Sequence, residues 1–415
     1  MYQRNIQDRI VESLKETRVL LLNGARQTGK TTLVRNLAAS GRFTADYVTL
    51  DDIDTLSAAQ RDPTGFVRQF NRPVIIDEVQ RAPEIFLPIK MAVDQNPRPG
   101  SFILTGSANV LTLPKLADSL AGRMEIVSLW PLSQGEITGV KENFIDLAFA
   151  AEMPVPRCPA LERESLFERI LKGGYPMALE RGSERSRKQW FDSYLTTLLE
   201  RDVRDLSKIR DLKDFPRLLQ ALATRSSSLL NLSDISRTVA VQHETLRRYT
   251  ALLEAMWLVV ELPAWSANLG KRLVKTPKVT LNDTGLLASL LGINRNRLLR
   301  EPLLLGQMLE SFVVMELRKQ ATWSEADVKL YHFRDHKGAE VDIVLESPAG
   351  ETVGIEVKAT ATPGLGDLSG LRTLQSSLGK RFRRGILLHT GTTAIHHSDN
   401  IYFIPISCLW QPHGI

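Results

Sequence analysis

Cysteine is nearly absent: Cys158 and Cys408 are the two present in 415 residues, and no Cys-x-x-Cys spacing joins them. That excludes a thiolate zinc cluster and a small disulfide-stapled scaffold. Their wide separation reads as two reduced thiols in a cytoplasmic protein. Long apolar runs are missing as well. Stretches such as Val19 to Leu22 and Val74 to Ile76 fall far short of the roughly 18 residues that a membrane helix needs, so no membrane partner is expected. The first ten residues mix charges and amides, without the apolar stretch or small-residue cleavage site of an export signal. Neither charge sign dominates, with Lys+Arg 53 against Asp+Glu 47 for a net +6. What is present, 43% hydrophobic and 24% charged residues, belongs to a globular chain able to bury a core. At about 150 residues per domain its length predicts two to four domains.

The small net charge conceals a local one. Residues 181–280 carry 18 Lys+Arg and 11 Asp+Glu, a surplus of +7, which leaves −1 for the rest of the chain. Basic residues concentrated in one segment are the footprint of a phosphate polymer, because cations that neutralise phosphates release condensed counterions. A solvated helical face would give the same count.

In the first third, strand-like runs at Val19–Leu22, Tyr47–Leu50, Val74–Ile76 and Phe102–Leu104 alternate with helical patterns. That order predicts βαβ units in a doubly wound parallel sheet. From about Leu132 the pattern is helical, with amphipathic helices over Leu195–Leu230, then strands at Leu258–Leu262 and Lys278–Leu281. The last part returns to α/β, with a helix near Leu309–Gln320. Strands follow at Val328–Phe333, Glu340–Leu345, Thr352–Val357 and Gly385–Leu388, and a glycine-containing loop at Gly364–Gly370.

Gly24-Ala25-Arg26-Gln27-Thr28-Gly29-Lys30-Thr31 fits G-x-x-x-x-G-K-[ST], between an apolar strand and the helical run beginning at Thr32. Its backbone N–H groups would cradle phosphates, Lys30 would reach the β- and γ-phosphates, and Thr31 would ligate Mg²⁺. Asp77 and Glu78 end the next apolar strand, Asp77 as a second Mg²⁺ ligand and Glu78 to polarise the attacking water. That second acid favours ATP hydrolysis over storage. Ser107 closes Ser101-Phe-Ile-Leu-Thr105-Gly106-Ser107, where hydroxyls could face the γ-phosphate, and Arg123 could neutralise transition-state charge in cis or from a neighbouring subunit.

These segments resemble the AAA+ ATPases. Together with Leu129-Trp-Pro-Leu-Ser133 and Gly173-Gly-Tyr-Pro176 they resemble one prokaryotic family that joins an AAA ATPase to a C-terminal domain long of unknown function. The resemblance implies ATP and Mg²⁺ as cofactors and a homo-oligomer, a ring or a dimer. Thr-Gly-Ser departs from the Asn frequent at that strand end in AAA+ proteins. The chain would divide into an ATPase core at 1–135, a helical lid or connector at 136–205, a winged helix-turn-helix at 206–275 and a final α/β domain at 276–415.

Leu229–Ala240 followed by Val241–Leu253 reads as helix, turn, helix, with Trp257–Leu262 and Lys271–Lys275 as a wing. This resembles a winged helix-turn-helix presenting Gln242, His243, Thr245 and Arg248 to a major groove; such folds also dock proteins. Lys275-Thr-Pro-Lys-Val-Thr-Leu-Asn-Asp-Thr-Gly285 resembles the entry into the family's C-terminal domain. There Glu310 lies on a helix, Asp342 on a strand, and Glu356 and Lys358 on one face of another. This set resembles the restriction-endonuclease-like PD-(D/E)XK core: Asp342 and Glu356 would bind Mg²⁺, Glu310 would add a third oxygen, and Lys358 would position water. His332, Arg334 and His336 read as surface or turn residues and His396 and His397 as loop residues.

Two functions fit. One is an ATP-driven enzyme acting on duplex or branched DNA. The other is a nucleotide-switched regulator whose nuclease-like domain is a non-catalytic docking or DNA-binding module. An open, basic cleft around Glu310, Asp342, Glu356 and Lys358 would favour the first, a cleft filled by neighbouring side chains the second.

Overall fold

The computed structural model describes residues 2–107, 120–200, 214–398 and 400–411. Part of the helical stretch expected over Leu195–Leu230, and the boundary expected at 205/206, lie outside the described residues. The chain divides into two compact units, one of 4–131 with 255–257, the other of 1–3, 132–254 and 258–415. No described helix is long and apolar enough to cross a membrane.

The first unit is built on a parallel sheet of β1 (Val19–Gly24), β2 (Asp46–Thr49), β3 (Val74–Asp77), β4 (Phe102–Ser107) and β5 (Met124–Ser128), in the order β2-β3-β4-β1-β5. β1, β3 and β4 are buried along their whole length, as uninterrupted apolar runs demand when helices cover both faces. β4 pairs with both β1 and β3. The loop after β1, the acids ending β3 and the hydroxyls of β4 therefore share the carboxyl edge of the sheet, where open α/β folds bind ligands. Gly24 must be glycine, because a Cβ there would run into the Leu129 carbonyl. The helix Lys30–Ala39 follows and buries Leu33, Val34 and Leu37.

In the second unit, the residues that prompted the family resemblance prove to be packing residues. Asp283 caps the helix Thr284–Leu291 by accepting from Leu286 N, and its other oxygen accepts from Gly174 N at 2.6 Å. A Cβ on Gly173 would strike that carboxylate. Asn282 donates to the buried Tyr175 hydroxyl at 2.8 Å. The Gly173-Gly-Tyr-Pro176 and Asn282-Asp-Thr-Gly285 segments are thus two halves of one junction.

Next come a helix Asp214–Ala223, β6 (Ser228–Leu229), helices Leu232–Val239 and His243–Ala255, β7 (Val259–Leu262), a short helix Leu269–Val274 and β8 (Lys278–Leu281). β8 is the central strand of the order β6-β8-β7 and lies past residue 275. The expected wing at Lys271–Lys275 is largely that short exposed helix.

After the helix Pro302–Gln320, β9 (Lys329–Arg334), β10 (Glu340–Glu346) and β11 (Thr352–Lys358) pair antiparallel. The helix Ser369–Leu378 then leads to β12 (Phe382–His389), parallel to β11, and β13 (Ile395–Ser398) and β14 (Ile401–Pro405) complete the order β13-β14-β12-β11-β10-β9. Trp265, Val341, Val344, Leu371, Leu374 and Phe403 lie in the core beneath this sheet.

Three expectations are corrected. Cys158 and Cys408 are not separate thiols but a disulfide, with Cα atoms 5.5 Å apart across a sequence separation of 250. Ser407 donates to Pro159 O beside it, so the fold joins segments that sequence distance keeps apart, and the cytoplasmic expectation loses its basis in reduced thiols. His332 is no surface residue: it is 1% exposed, because its backbone bonds Pro263 and Trp265 on either side. His396 and His397 are exposed but stand in β13, not in a loop.

Candidate functional site

At the carboxyl edge of the first unit's sheet, Thr31 Oγ1 lies 3.1 and 2.9 Å from the two oxygens of Asp77. Asp77, 3% exposed, also accepts from Tyr47 at 2.9 Å and from Thr105. Three hydroxyls thus fix one carboxylate. Burial, with Asp77 adding to it, raises the Tyr47 phenol above its ordinary pKa and keeps it a donor. Lys30 Nζ folds onto the loop, 2.9 Å from Gly24 O and 2.8 Å from Ala25 O. Thr28 bonds Ala25 O across the same turn. Gln27 takes a left-handed φ of 64° and Gly29 one of 94°, the backbone reversal that turns successive N–H groups inward.

Glu78 is handled differently from Asp77. Its backbone is left-handed, φ 60° and ψ 44°, and its N–H donates to Thr105 Oγ1 at 3.2 Å. Its carboxylate accepts from Gln80 and, at 3.2 Å, from Ser107, with Gln80 also bonded to Ser107 at 3.0 Å. Such strain at a non-glycine residue persists where the surroundings over-determine it. The structure therefore brings Lys30, Thr31, Asp77, Glu78 and Ser107 together. Arg123 is held by Asp94 through two bonds of 2.6 and 2.9 Å, an ion pair within the unit.

Four contributors escaped the sequence reading. Arg4 bonds Thr28 O at 2.8 Å and Trp130 O at 2.7 Å and so braces the phosphate loop from behind. Tyr47, Gln80 and Thr105 complete the carboxylate network. Thr105 lies in the hydroxyl run already singled out; the others carry no motif.

The C-terminal set also converges, around an unexpected centre. Lys278, at the start of β8 and 4% exposed, places Nζ 2.7 Å from Glu310, 2.6 Å from Glu340 and 3.6 Å from Asp342. Asp342 accepts from Val357 N at 2.9 Å, and Lys358 pairs with Glu356 at 2.9 Å. Burial opposes the Lys278 charge, but Glu310, Asp342 and Glu340 outweigh it and hold its pKa above the ordinary lysine value. Burial, reinforced by Asp342, pushes Glu310 up to about 8 and Glu356 up to about 8. Of the four carboxyls facing the two ammoniums, Glu340 alone is held low, its burial outweighed by Lys278 and Arg334. His332, pushed down to about 4 by burial and Lys278, stays neutral beside them. The expected Mg²⁺ ligands Asp342 and Glu356 do not fit a metal as they stand, for no group of three or more His, Cys, Asp or Glu among the described residues is arranged to hold one.

Lys278 also alters the charge argument. With Arg272, which grips Glu346 at 2.5 and 2.8 Å, it spends part of the +7 surplus on acids outside residues 181–280. His243 and Arg248 remain exposed on the helix His243–Ala255, with exposed Gln242 just before it, and Thr245 is half-buried.

Residues 16–138 match an AAA domain, 163–297 a domain of unknown function (DUF8612), and 305–409 a second domain of unknown function (DUF4143). The uncharacterized protein Rv2008c of Mycobacterium tuberculosis is 30% identical over 97% of this chain and 83% of its own length; Mb2031c of Mycobacterium bovis matches equally. Among solved structures, the Walker-type ATPase PABY2304 of Pyrococcus abyssi is 15% identical, covering 70% of this chain and 96% of that one at a TM-score of 0.43. RuvB of Thermotoga maritima is 18% identical, covering 62% and 89% at 0.30. The AAA domain and the loop geometry support ATP binding and hydrolysis.

Proposed function

The chain belongs to the family of the uncharacterized protein Rv2008c of Mycobacterium tuberculosis, and from that premise we propose a Mg²⁺-dependent ATPase that acts on DNA as a homo-oligomer and whose C-terminal domain does not cut it. The observation that carries the ATPase reading is the division of labour between adjacent acids. Asp77 is tied to the Thr31 hydroxyl, and Glu78 is turned away from it by a left-handed backbone and held by Gln80 and Ser107.

Thr31 and Asp77 offer the hard oxygens that Mg²⁺ prefers, and a bound ion would neutralise charge on the β- and γ-phosphates. The chain's own residues do the rest. Lys30 exchanges the Gly24 and Ala25 carbonyls for phosphate oxygens, and Glu78 takes a proton from water while Ser107 fixes its carboxylate.

The run of helix, strand, two helices, strand, short helix and strand, with the strands in the order β6-β8-β7, supports a winged helix-turn-helix whose exposed Gln242, His243 and Arg248 reach a groove. The run of helix, three antiparallel strands, helix and parallel strand supports a PD-(D/E)XK-like C-terminal domain. Its centre is filled by Lys278, which favours a non-catalytic module and leaves Lys358 an ion-pair partner of Glu356. Arg123 belongs with Asp94 as a structural pair.

The test combines three readouts on duplex, forked and four-way DNA. Branched or duplex DNA is expected to raise ATP turnover, no strand is cut with Mg²⁺, and binding weakens steeply with salt. Arg248→Ala weakens binding by about 1–3 kcal/mol and relaxes the sequence preference at the base pair it reads. Turnover indifferent to every DNA, with no salt-dependent binding, would remove DNA from the account.

A further inference from the structure

We propose that the Lys278 ammonium is the resident cation of the C-terminal acidic centre, standing where its carboxylates would otherwise hold a divalent ion, so that the native centre takes none. The inference rests on the reading of that domain as closed to catalysis and names what closes it.

The geometry is that of a coordinated cation. One compact charge meets oxygens from two elements, Glu310 on the helix Pro302–Gln320 and Glu340 and Asp342 on β10, with contacts at 2.7, 2.6 and 3.6 Å. Lysine suits this position because its ammonium is a point charge on a long stem. The Lys278 side chain is 5% exposed, so bulk water barely reaches the ammonium. A second observation points to a ligand position: Glu356, 8% exposed, binds Lys358 through Oε1, while its buried Oε2 has no hydrogen-bond partner among the described residues. The Asp342 carboxylate faces Lys278 at 3.6 Å through one oxygen and accepts from Val357 N, the residue after Glu356, through the other. An oxygen set that already satisfies a lysine, with no three of its acids arranged to hold a metal ion, has its cation's place taken by the ammonium.

Lys278 does more than neutralise. It opens β8, the central strand of the three-stranded sheet, so its contacts tie that sheet to β10 of the six-stranded one. A metal could supply the charge but not that covalent tether.

The test is a Mn²⁺ titration followed by electron paramagnetic resonance on the full chain without nucleotide, in an Asp77→Ala background that removes the ATP-site ligand. With Lys278 intact, no Mn²⁺ is taken up to 1 mM, roughly the weak limit of specific calcium and magnesium sites. Lys278→Ala takes one Mn²⁺ per chain at least tenfold more tightly, and adding Asp342→Asn abolishes it. Lys278→Ala with Glu340→Gln removes one charge of each sign and so keeps the balance should the single variant not fold; it is expected to bind Mn²⁺ as well. Asp342-dependent Mn²⁺ binding by the Lys278-intact chain would overturn the inference, as would a folded double variant that binds none. DNA cleavage by the intact chain would instead sink the non-catalytic reading on which it rests.

Discussion

Replacing Lys30 by Ala is expected to lower ATP turnover roughly 100- to 1,000-fold, the scale of removing one fixed electrostatic donor from a transition state. Lys30 Nζ is buried among loop carbonyls, 2.9 Å from Gly24 O and 2.8 Å from Ala25 O, so the charge is positioned before nucleotide arrives. Arg4 is engaged by Thr28 O and Trp130 O, and Arg123 is tied to Asp94. Phosphate release at saturating ATP measures the loss. A variant retaining a tenth of native turnover would mean that the loop backbone supplies most of the stabilisation.

The second large effect is on stability. Lys278→Ala leaves the largely buried Glu310 and Asp342 and the part-exposed Glu340 without their shared cation, and breaking such a group costs toward the lower end of about 3–5 kcal/mol, because solvent reaches one of the acids. Urea denaturation in the absence of divalent ions is the measurement. The loss carries a pH signature. Glu310 and Glu356, each pushed up to about 8, hold protons in the folded chain that an unfolded carboxyl releases near pH 4.3. Stability from this source is therefore full below about pH 4.3 and declines as pH rises through 8. Without Lys278 the carboxyls have one cation fewer, so the variant's deficit deepens as pH rises through about 8, and Glu310→Gln in the native background flattens the slope. An unchanged midpoint in Lys278→Ala would show that the cluster is solvated and contributes little.

The parallel sheet was legible because β1, β3 and β4 are continuous apolar runs ending in residues with a chemical reason to be there. β5 was not: in Met124–Ser128 only Val127 is buried, so neither burial pattern nor motif marks it. Thr31, Asp77 and Glu78 could be named because their spacing follows from phosphate geometry. Arg4 could not, since it acts through carbonyls 24 and 126 residues away, nor Tyr47, on a half-buried edge strand. Lys278 is the instructive case. By sequence it adds one charge to a basic stretch; in the fold it serves a carboxylate 32 residues on and two more on a later strand. Charge counted along a chain locates cations without saying which are already spent, and Cys158 and Cys408 make the same point for thiols.

The central claim is that adjacent acids at the end of β3 have separate tasks, Asp77 at the metal and Glu78 at water. Steady-state phosphate release and equilibrium ATP binding, both with Mg²⁺, measured on the native chain and on Glu78→Gln, test it most directly. ATP binding is expected to persist while turnover falls by about 100-fold or more, the contribution of a positioned general base. Native turnover in Glu78→Gln, or loss of ATP binding together with turnover, would contradict the assignment.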